Sequence, residues 1–137
     1  MTFDGTWGLE DAPTAEDPSN KVFSDSPGAD YKANANTSLT LPVWTVANTD
    51  LSLVVRMRHS LENRYDNGYI ETPTDGTEWS TIDSVTGAND WVTKHYDLAG
   101  VLGEKKSFQI RFRLSSDSSI SRDGWFIDDV MVVSAID

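Results

Sequence analysis

Two adjacent carboxylates interrupt an otherwise apolar run near the end of the chain. The segment reads RDGWFIDDVMVV from Arg122 to Val133, and the two acids are Asp128 and Asp129. Neighbouring residues of a strand point to opposite faces, so at least one acid should face the interior or a rim covered by loops. A carboxylate in such a place must be paired with a cation, hydrogen-bonded or bound to a metal ion. The segment by itself leaves all three open.

A pair of carboxylates of the kind that glycosidases use is the one catalytic arrangement that the residue types allow. Candidate pairs come from Glu62, Asp66, Glu71 and the adjacent Asp128 and Asp129. The chain has 22 acidic residues, so some pair will lie close together by chance. There is no Gly-x-Ser-x-Gly elbow, His-Glu-x-x-His motif, glycine-rich phosphate loop or EF-hand spacing in the sequence. We therefore predict that this chain has no catalytic activity.

The two histidines, His59 and His95, do not extend the catalytic set. His59 lies on the apolar face of an alternating segment, so we expect a hydrogen-bonded histidine of the core. His95 is flanked by polar residues and is expected at the surface.

Four of the six arginines fall on the polar faces of two predicted strands: Arg56, Arg58, Arg111 and Arg113. One interpretation is a set of cross-strand ion pairs on a solvated face, each contributing a fraction of a kcal/mol. The other is a polar groove that holds a ligand or a neighbouring domain. We favour the ion pairs.

The tryptophans divide into two groups by their neighbours in sequence. Trp7 and Trp125 lie beside apolar strand residues and are predicted in the core. Trp79 and Trp91 lie at strand edges next to turns, where an aromatic ring can stack on a sugar, and Tyr65 is a third candidate for that role. The alternative for the edge tryptophans is that they close the end of the sandwich, and we favour it.

Size and charge limit the remaining classes of function. With 137 residues the chain fits one core, and we predict that residues 1–137 are a single domain of a longer secreted protein. The 22 acidic against 11 basic residues give a net charge of −11, which disfavours nucleic acid and anionic membranes as partners. No apolar run reaches the ~20 residues of a membrane span, so we predict no membrane insertion. The absence of cysteine excludes disulfides and cysteine-based zinc sites.

The hydrophobic pattern predicts strands almost throughout. Alternation is clearest in Leu51–Leu61 and Phe108–Ser116. Turn residues separate these from shorter predicted strands, which are Lys21–Ser24, Ser38–Leu41, Gly68–Thr72, Ser80–Asp83, Val92–Asp97 and Gly124–Ser134. Leu98–Lys106 has room for one helical turn, and Thr6–Asn20 has no period and is predicted as a loop. About eight short strands indicate an all-β fold, an antiparallel jelly-roll β-sandwich.

Six segments occur in an order that resembles a known group of domains. They are Ala33–Pro42, Ser60–Glu71, Thr74–Trp79, Asp90–Gly103, Phe108–Ser119 and Asp123–Val132. The order is similar to accessory jelly-roll domains of secreted bacterial proteases of the immune inhibitor A and subtilisin-like types, which are similar to MAM domains and, more distantly, to galactose-binding-like sandwiches. Pro73 replaces a serine that is usual there. Because proline cannot donate to a strand ladder, its strand should end there or form an edge.

The resemblance implies a non-catalytic accessory domain of a secreted or cell-surface protein from a bacterium or archaeon. Its partners would be neighbouring domains of the parent protein and a protein or glycan substrate. The alternative is a carbohydrate-binding module that uses edge aromatics.

The resemblance also implies a structural calcium ion. In the similar domains, an acid near the start and one in the last strand converge on calcium at the rim of the sandwich. The matching positions are Asp4 and one of Asp128 or Asp129, and Asp25 can reach the same rim. Calcium takes six to eight oxygens, and carbonyls of the following loop would complete the shell. The alternative is that the last two acids cap backbone amides or pair with Arg122.

Overall fold

A computed structural model of the chain describes residues 2–12, 15–45, 51–73, 78–102 and 107–134. Within these ranges the chain forms twelve strands and one short helix. In chain order they are β1 Thr2–Asp4, β2 Gly8–Asp11, β3 Lys21–Ser24, β4 Asn36–Thr40, β5 Trp44–Thr45, β6 Leu51–Ser60, β7 Asn67–Pro73, β8 Trp79–Val85, β9 Ala88–Asp97, α1 Ala99–Leu102, β10 Ser107–Phe108, β11 Arg111–Ser115 and β12 Gly124–Ser134.

Two five-stranded antiparallel sheets pack against each other. The first sheet has the order β1-β4-β11-β7-β8 and the second β2-β3-β12-β6-β9, while β5 and β10 form a separate pair. The chain crosses between the two large sheets after β1, β3, β6, β8 and β11, as jelly-roll folds do. It also crosses by way of β5 between β4 and β6, and by way of β10 between β9 and β11. The predicted all-β, antiparallel jelly-roll sandwich is confirmed.

The core lies between the sheets because inner strands such as β6 and β11 turn buried apolar residues to one face and more exposed residues to the other. In β11, Phe112 and Leu114 are fully buried, whereas the residues on either side of them are not. Phe112 of the first sheet meets Trp125 of the second edge-on, with 5.6 Å between ring centroids. Trp7 packs edge-on against the same indole at 6.3 Å. Both tryptophans predicted in the core are therefore there.

The short edge strand β2 corrects the prediction of a loop over Thr6–Asn20. It pairs with β3 along one side only, from Gly8 opposite Ser24 to Asp11 opposite Lys21. Its side chains alternate between half-buried and exposed, so the strand buries no continuous apolar face that a sequence pattern could reveal. The predicted strand over 108–116 is also interrupted, because residues 109–110 lie between β10 and β11.

Two smaller predictions concern the ends of elements. β7 lies between β11 and β8, so it is not an edge strand, and its described part ends at Pro73. Because residues 74–77 lie outside the described ranges, the stop at the proline stays a prediction. The four-residue α1 provides the helical turn expected after Leu98, while residues 103–106 of that prediction lie outside the described ranges. In the part of the chain that the structure describes, no helix has the length and apolar character needed to cross a bilayer.

Candidate functional site

A β-bulge places the two adjacent acids of β12. Pairing with β6 passes from Asp128 opposite Arg56 to Val130 opposite Val55, which leaves Asp129 as the extra residue, with φ of 48°. The bulge resets the alternation, so Ile127 and Val130 both pack toward the core. Asp128 is half-buried and Asp129 exposed. Asp129 is thus not the acid that faces the interior or a covered rim, because strict alternation fails at a bulge, and the half-buried Asp128 is the one left for that role.

The four predicted calcium ligands come from three segments of the chain. Asp4 ends the exposed edge strand β1 in the first sheet, whereas Asp25 follows β3 in the second. Among the described residues, no three of the carboxylates of Asp4, Asp25, Asp128 and Asp129 lie within 4.8 Å of one another. The assignment of calcium to this set therefore stays a prediction.

Asp25 is fully buried and holds the beginning of β12. Its Oδ1 accepts a hydrogen bond of 2.7 Å from the backbone N–H of Trp125, and its own N–H donates to the Trp125 carbonyl at 3.4 Å. A Cβ at Gly124, which has φ of 107°, would lie 2.2 Å from that Oδ1. Desolvation by burial raises the pKa of Asp25 from 3.8 to about 6, against the hydrogen bond from Trp125. The described contacts of Asp25 are thus those of a structural acid.

Three other carboxylates converge at one end of the sandwich, where the loop after β6 meets the loop after β11. Glu62 and Asp66 are buried, Asp117 is half-buried, and one oxygen from each lies within 4.8 Å of the others. The Oδ1 of Asp66 accepts from the Asp117 backbone N–H at 2.8 Å, and its Oδ2 accepts from the Tyr31 hydroxyl at 2.5 Å. This acidic triad can hold a metal ion.

The three carboxylates of the acidic triad carry like charges and repel one another. The pKa of Glu62 is raised by desolvation and then by the negative charges of Asp117 and Asp66. The pKa of Tyr31 is raised by burial and by its hydrogen bond to Asp66, so its hydroxyl remains a donor. A cation between the carboxylates would relieve this repulsion, which is the electrostatic condition for a metal site.

The four arginines do not form one groove, because β6 and β11 belong to different sheets. Arg111 and Arg113 lie on the outer face of the first sheet, and both donate to Glu71 Oε1, at 2.7 Å from Arg111 and 3.1 Å from Arg113. These two arginines therefore form the predicted cross-strand ion pairs. Because the Glu71 side chain is only 5% exposed, the pairs form a half-buried network and not a solvated one. Burial opposes ionisation of Glu71, yet hydrogen bonds from Arg113 and Arg111 outweigh it and lower its pKa.

Guanidinium groups cover one side of Trp79 and Trp91, the two tryptophans for which sugar stacking is the alternative to closing the end of the sandwich. Arg111 lies over the Trp79 ring at 4.1 Å, and Arg56 lies over the Trp91 ring at 5.0 Å. Each indole is half-buried and has at most one free side for a ligand. Tyr65, in contrast, is 67% exposed and lies beside the acidic triad, with its N–H donating to the Glu62 carbonyl.

The histidines lie where the sequence predicts. His59 is 6% exposed, and its Nδ1 is 2.8 Å from the Gly87 carbonyl oxygen. His95 is exposed on β9. The hydrogen-bonded core histidine and the surface histidine are both confirmed.

The chain is similar in sequence to part of a protease, and its fold is similar to those of two carbohydrate-related proteins. No family model matches the chain. Bacillopeptidase F of Bacillus subtilis (strain 168) is 29% identical over 130 residues, which is 92% of this chain but 9% of that much longer protein. The chain therefore spans about a tenth of this relative.

Two solved structures share the fold. One is TmCBM61 in complex with β-1,4-galactotriose, with a TM-score of 0.60, 10% identity and coverage of 97% of this chain and 86% of that one. The other is the glycoside hydrolase domain of Endo-D (Spr0440) from Streptococcus pneumoniae R6, with a TM-score of 0.60, 14% identity and coverage of 98% and 20%. The structural likeness is thus to sandwiches of this kind and not specifically to MAM domains.

Proposed function

We propose that this chain is a non-catalytic accessory domain of a larger extracellular protein from a bacterium or archaeon. The observation that carries the proposal is the match of nearly the whole chain to a small part of Bacillopeptidase F. The domain would stabilise its neighbours in the parent protein, or hold a protein substrate near a separate catalytic domain. Its partners on this proposal are the adjoining domains and the substrate.

Deletion of the chain from its full-length gene product tests this proposal. The isolated 137-residue chain should hydrolyse neither peptide nor glycoside reporters. The deletion should weaken capture of protein substrate or lower the stability of the parent, while turnover of a short peptide reporter stays unchanged. Hydrolysis by the isolated chain that disappears in Glu62→Gln would contradict the proposal and favour paired-carboxylate chemistry.

Carbohydrate binding is a second candidate, favoured by the exposure of Tyr65 and by the fold shared with TmCBM61. Trp79 and Trp91 would each offer the ring side that faces away from its arginine. A glycan array followed by titration calorimetry tests it. Binding that is lost in Tyr65→Ala or Trp79→Ala, and kept in the control Leu9→Ala, would make this the better account.

We further propose that the chain binds calcium and that the acidic triad holds it. Carboxylate oxygens are its preferred ligands, and three of them converge here on loops that can supply carbonyl oxygens. Calorimetric titration of the metal-free chain tests this. Asp117→Asn should weaken calcium binding, and Asp30→Asn, an exposed acid elsewhere, should leave it unchanged. Equal binding by both variants would place calcium elsewhere.

A further inference from the structure

The outer face of the first sheet carries a row of aromatic, acidic and basic side chains. They are Tyr69 and Glu71 of β7, Trp79 of β8, and Arg111 and Arg113 of β11, and we call this row the guanidinium face. The residues that alternate with it, such as Ile70 and Phe112, are fully buried in the core. The row therefore lies on the side of the sheet that points away from the core.

The guanidinium face has one more cation than anion. Arg111 and Arg113 both pair with the single carboxylate of Glu71. In the second sheet, by contrast, Arg58 has an acid of its own, Asp123. A local excess of positive charge stands out in a chain with a net charge of −11. It makes this face a candidate position for an anionic ligand.

Some N–H donors of the guanidinium face are unused and reach the surface. Of the five N–H donors of a guanidinium group, Arg111 uses two on Glu71, from Nε and Nη2. Its Nη1 has no hydrogen-bond partner among the described residues, and the same is true of the Trp79 Nε1. Neither atom is among the described polar atoms that are buried without a partner. Both groups are thus accessible to a ligand from solvent.

The chemistry of these groups selects a carboxylate that is attached to a sugar ring. A guanidinium group binds both oxygens of a planar carboxylate side by side. Arg111 lies 4.1 Å from the Trp79 ring centroid and Arg113 lies 4.5 Å from that of Tyr69, and both rings are only half-buried. The C–H groups of a sugar can pack against such a ring. A run of glutamates would pair with the arginines but would bring no flat C–H surface to the rings.

We propose that the guanidinium face binds a uronic acid unit of an acidic polysaccharide, with its carboxylate on Arg111 and its ring against Trp79. The inference rests on the carbohydrate-binding candidate above, for which it names the class of sugar and the face of the sheet. The net charge of −11 opposes the approach of an anion. At 0.15 M salt, however, the Debye length is about 8 Å, so carboxylates elsewhere act weakly on a ligand in contact with this face.

Titration of the natural chain with trimers of galacturonate and of glucuronate tests the proposal. The matched control ligands are their methyl esters, which keep the sugar rings and lose the charge. One of the acidic trimers should bind about tenfold or more tightly than its ester, because hydrogen bonds to an ionised group are the stronger ones. The indole N–H resonance of Trp79 should shift during the titration. Chelator is present throughout, so that calcium on the acidic triad cannot bridge to the uronate.

Two arginine variants test the position of the site. Arg111→Gln removes the unused donors, while Arg113 still pairs with Glu71, so this variant should lose the preference for the charged trimer. Arg58→Gln removes an arginine that lies over the Phe126 ring in the second sheet, and it should keep the preference. Loss of the preference in both variants, or in neither, would overturn the assignment to the guanidinium face.

The ligands alone separate failure of this inference from failure of carbohydrate binding, without a variant that has to fold. Equal binding of each acidic trimer and its ester would leave carbohydrate binding in place and contradict the choice of an acidic sugar. Binding of neither acidic trimer would also contradict the inference, while neutral glycans on the array still decide the broader candidate. Tetraglutamate that binds as tightly as the acidic trimers would assign the face to an acidic peptide and overturn the proposal.

Discussion

At the level of single residues, Asp25 couples stability to pH. Its folded pKa of about 6 lies above the ordinary 3.8, so the folded chain binds the proton more tightly. Below about pH 4 the carboxyl group is protonated in both the folded and the unfolded chain, so its burial involves no ionisation penalty. As the pH rises from there through 6, the unfolded chain releases the proton more readily than the folded chain, and the free energy of unfolding falls by about 3 kcal/mol in total. Asp25→Asn should remove this dependence.

Urea unfolding at intervals from pH 4 to 8 measures the effect. Because other carboxylates also titrate there, the quantity of interest is the difference between the natural chain and Asp25→Asn. Between pH 4 and 7 the free energy of unfolding of Asp25→Asn should rise relative to that of the natural chain. A difference that is constant across the range would rule out titration of Asp25.

Gly124 is the residue on which the Asp25 contact depends. An alanine there would combine a φ of 107° with a Cβ 2.2 Å from the Asp25 carboxylate. We expect Gly124→Ala to lower the free energy of unfolding by at least about 2 kcal/mol. Gly100→Ala is the matched control, since nothing lies within 4 Å of its Cβ position and it lies in α1. Similar urea midpoints for the two variants would contradict this account.

At the level of elements, sequence predicts strands that bury one face and misses those that do not. The sequence pattern reveals the strands β6, β11 and β12, because alternate residues of each enter the core. The edge strand β2 alternates half-buried with exposed residues and buries none fully, so only its backbone pairing with β3 defines it. The bulge at Asp129 is equally hidden, because an inserted residue looks like ordinary sequence until the pairing with β6 is known.

The acidic triad was predictable only in part for a related reason. Glu62 and Asp66 are close in sequence and stand out as a pair, although the pair first suggests catalysis. Asp117 lies 51 residues after Asp66, and only the loop crossing after β11 brings them together. The division of the arginines between two sheets is likewise a property of topology, which alternation within one strand does not reveal.

The Glu71 network joins β7 to β11, and its strength should exceed that of a surface pair. Glu71→Gln leaves two half-buried guanidinium groups without their anion, and we expect a loss of about 2 kcal/mol, below the value for full burial because both arginines keep some contact with water. Asp123→Asn breaks the more exposed pair with Arg58 and should cost less than about 1 kcal/mol. Urea unfolding compares them, and equal losses would mean that burial adds nothing to the Glu71 network.

At the level of the whole molecule, calcium should raise stability if an acidic site holds it. The ion binds the folded chain, where carboxylates converge, and not the unfolded chain. At about a hundredfold excess over Kd it should add about 2.7 kcal/mol, which corresponds to a rise in Tm of about 5 to 10 °C. Chelator should reverse the shift, and magnesium should substitute poorly because it requires a smaller octahedral shell. Superimposed melting curves with calcium and with chelator would exclude a stabilising calcium site.

Variants then decide between the two candidate positions for calcium, which lie on different loops and strands. Asp117→Asn keeps an oxygen to accept the Ser119 N–H and removes one charge from the acidic triad, so it changes the metal site with little change to the loop. If the triad binds calcium, this variant should lose most of the calcium-dependent rise in Tm, and the double variant Asp128→Asn, Asp129→Asn should keep it. The reverse result would restore the site on β12 that the family resemblance implies, and would require Asp128 or Asp129 to approach further oxygens when the ion binds.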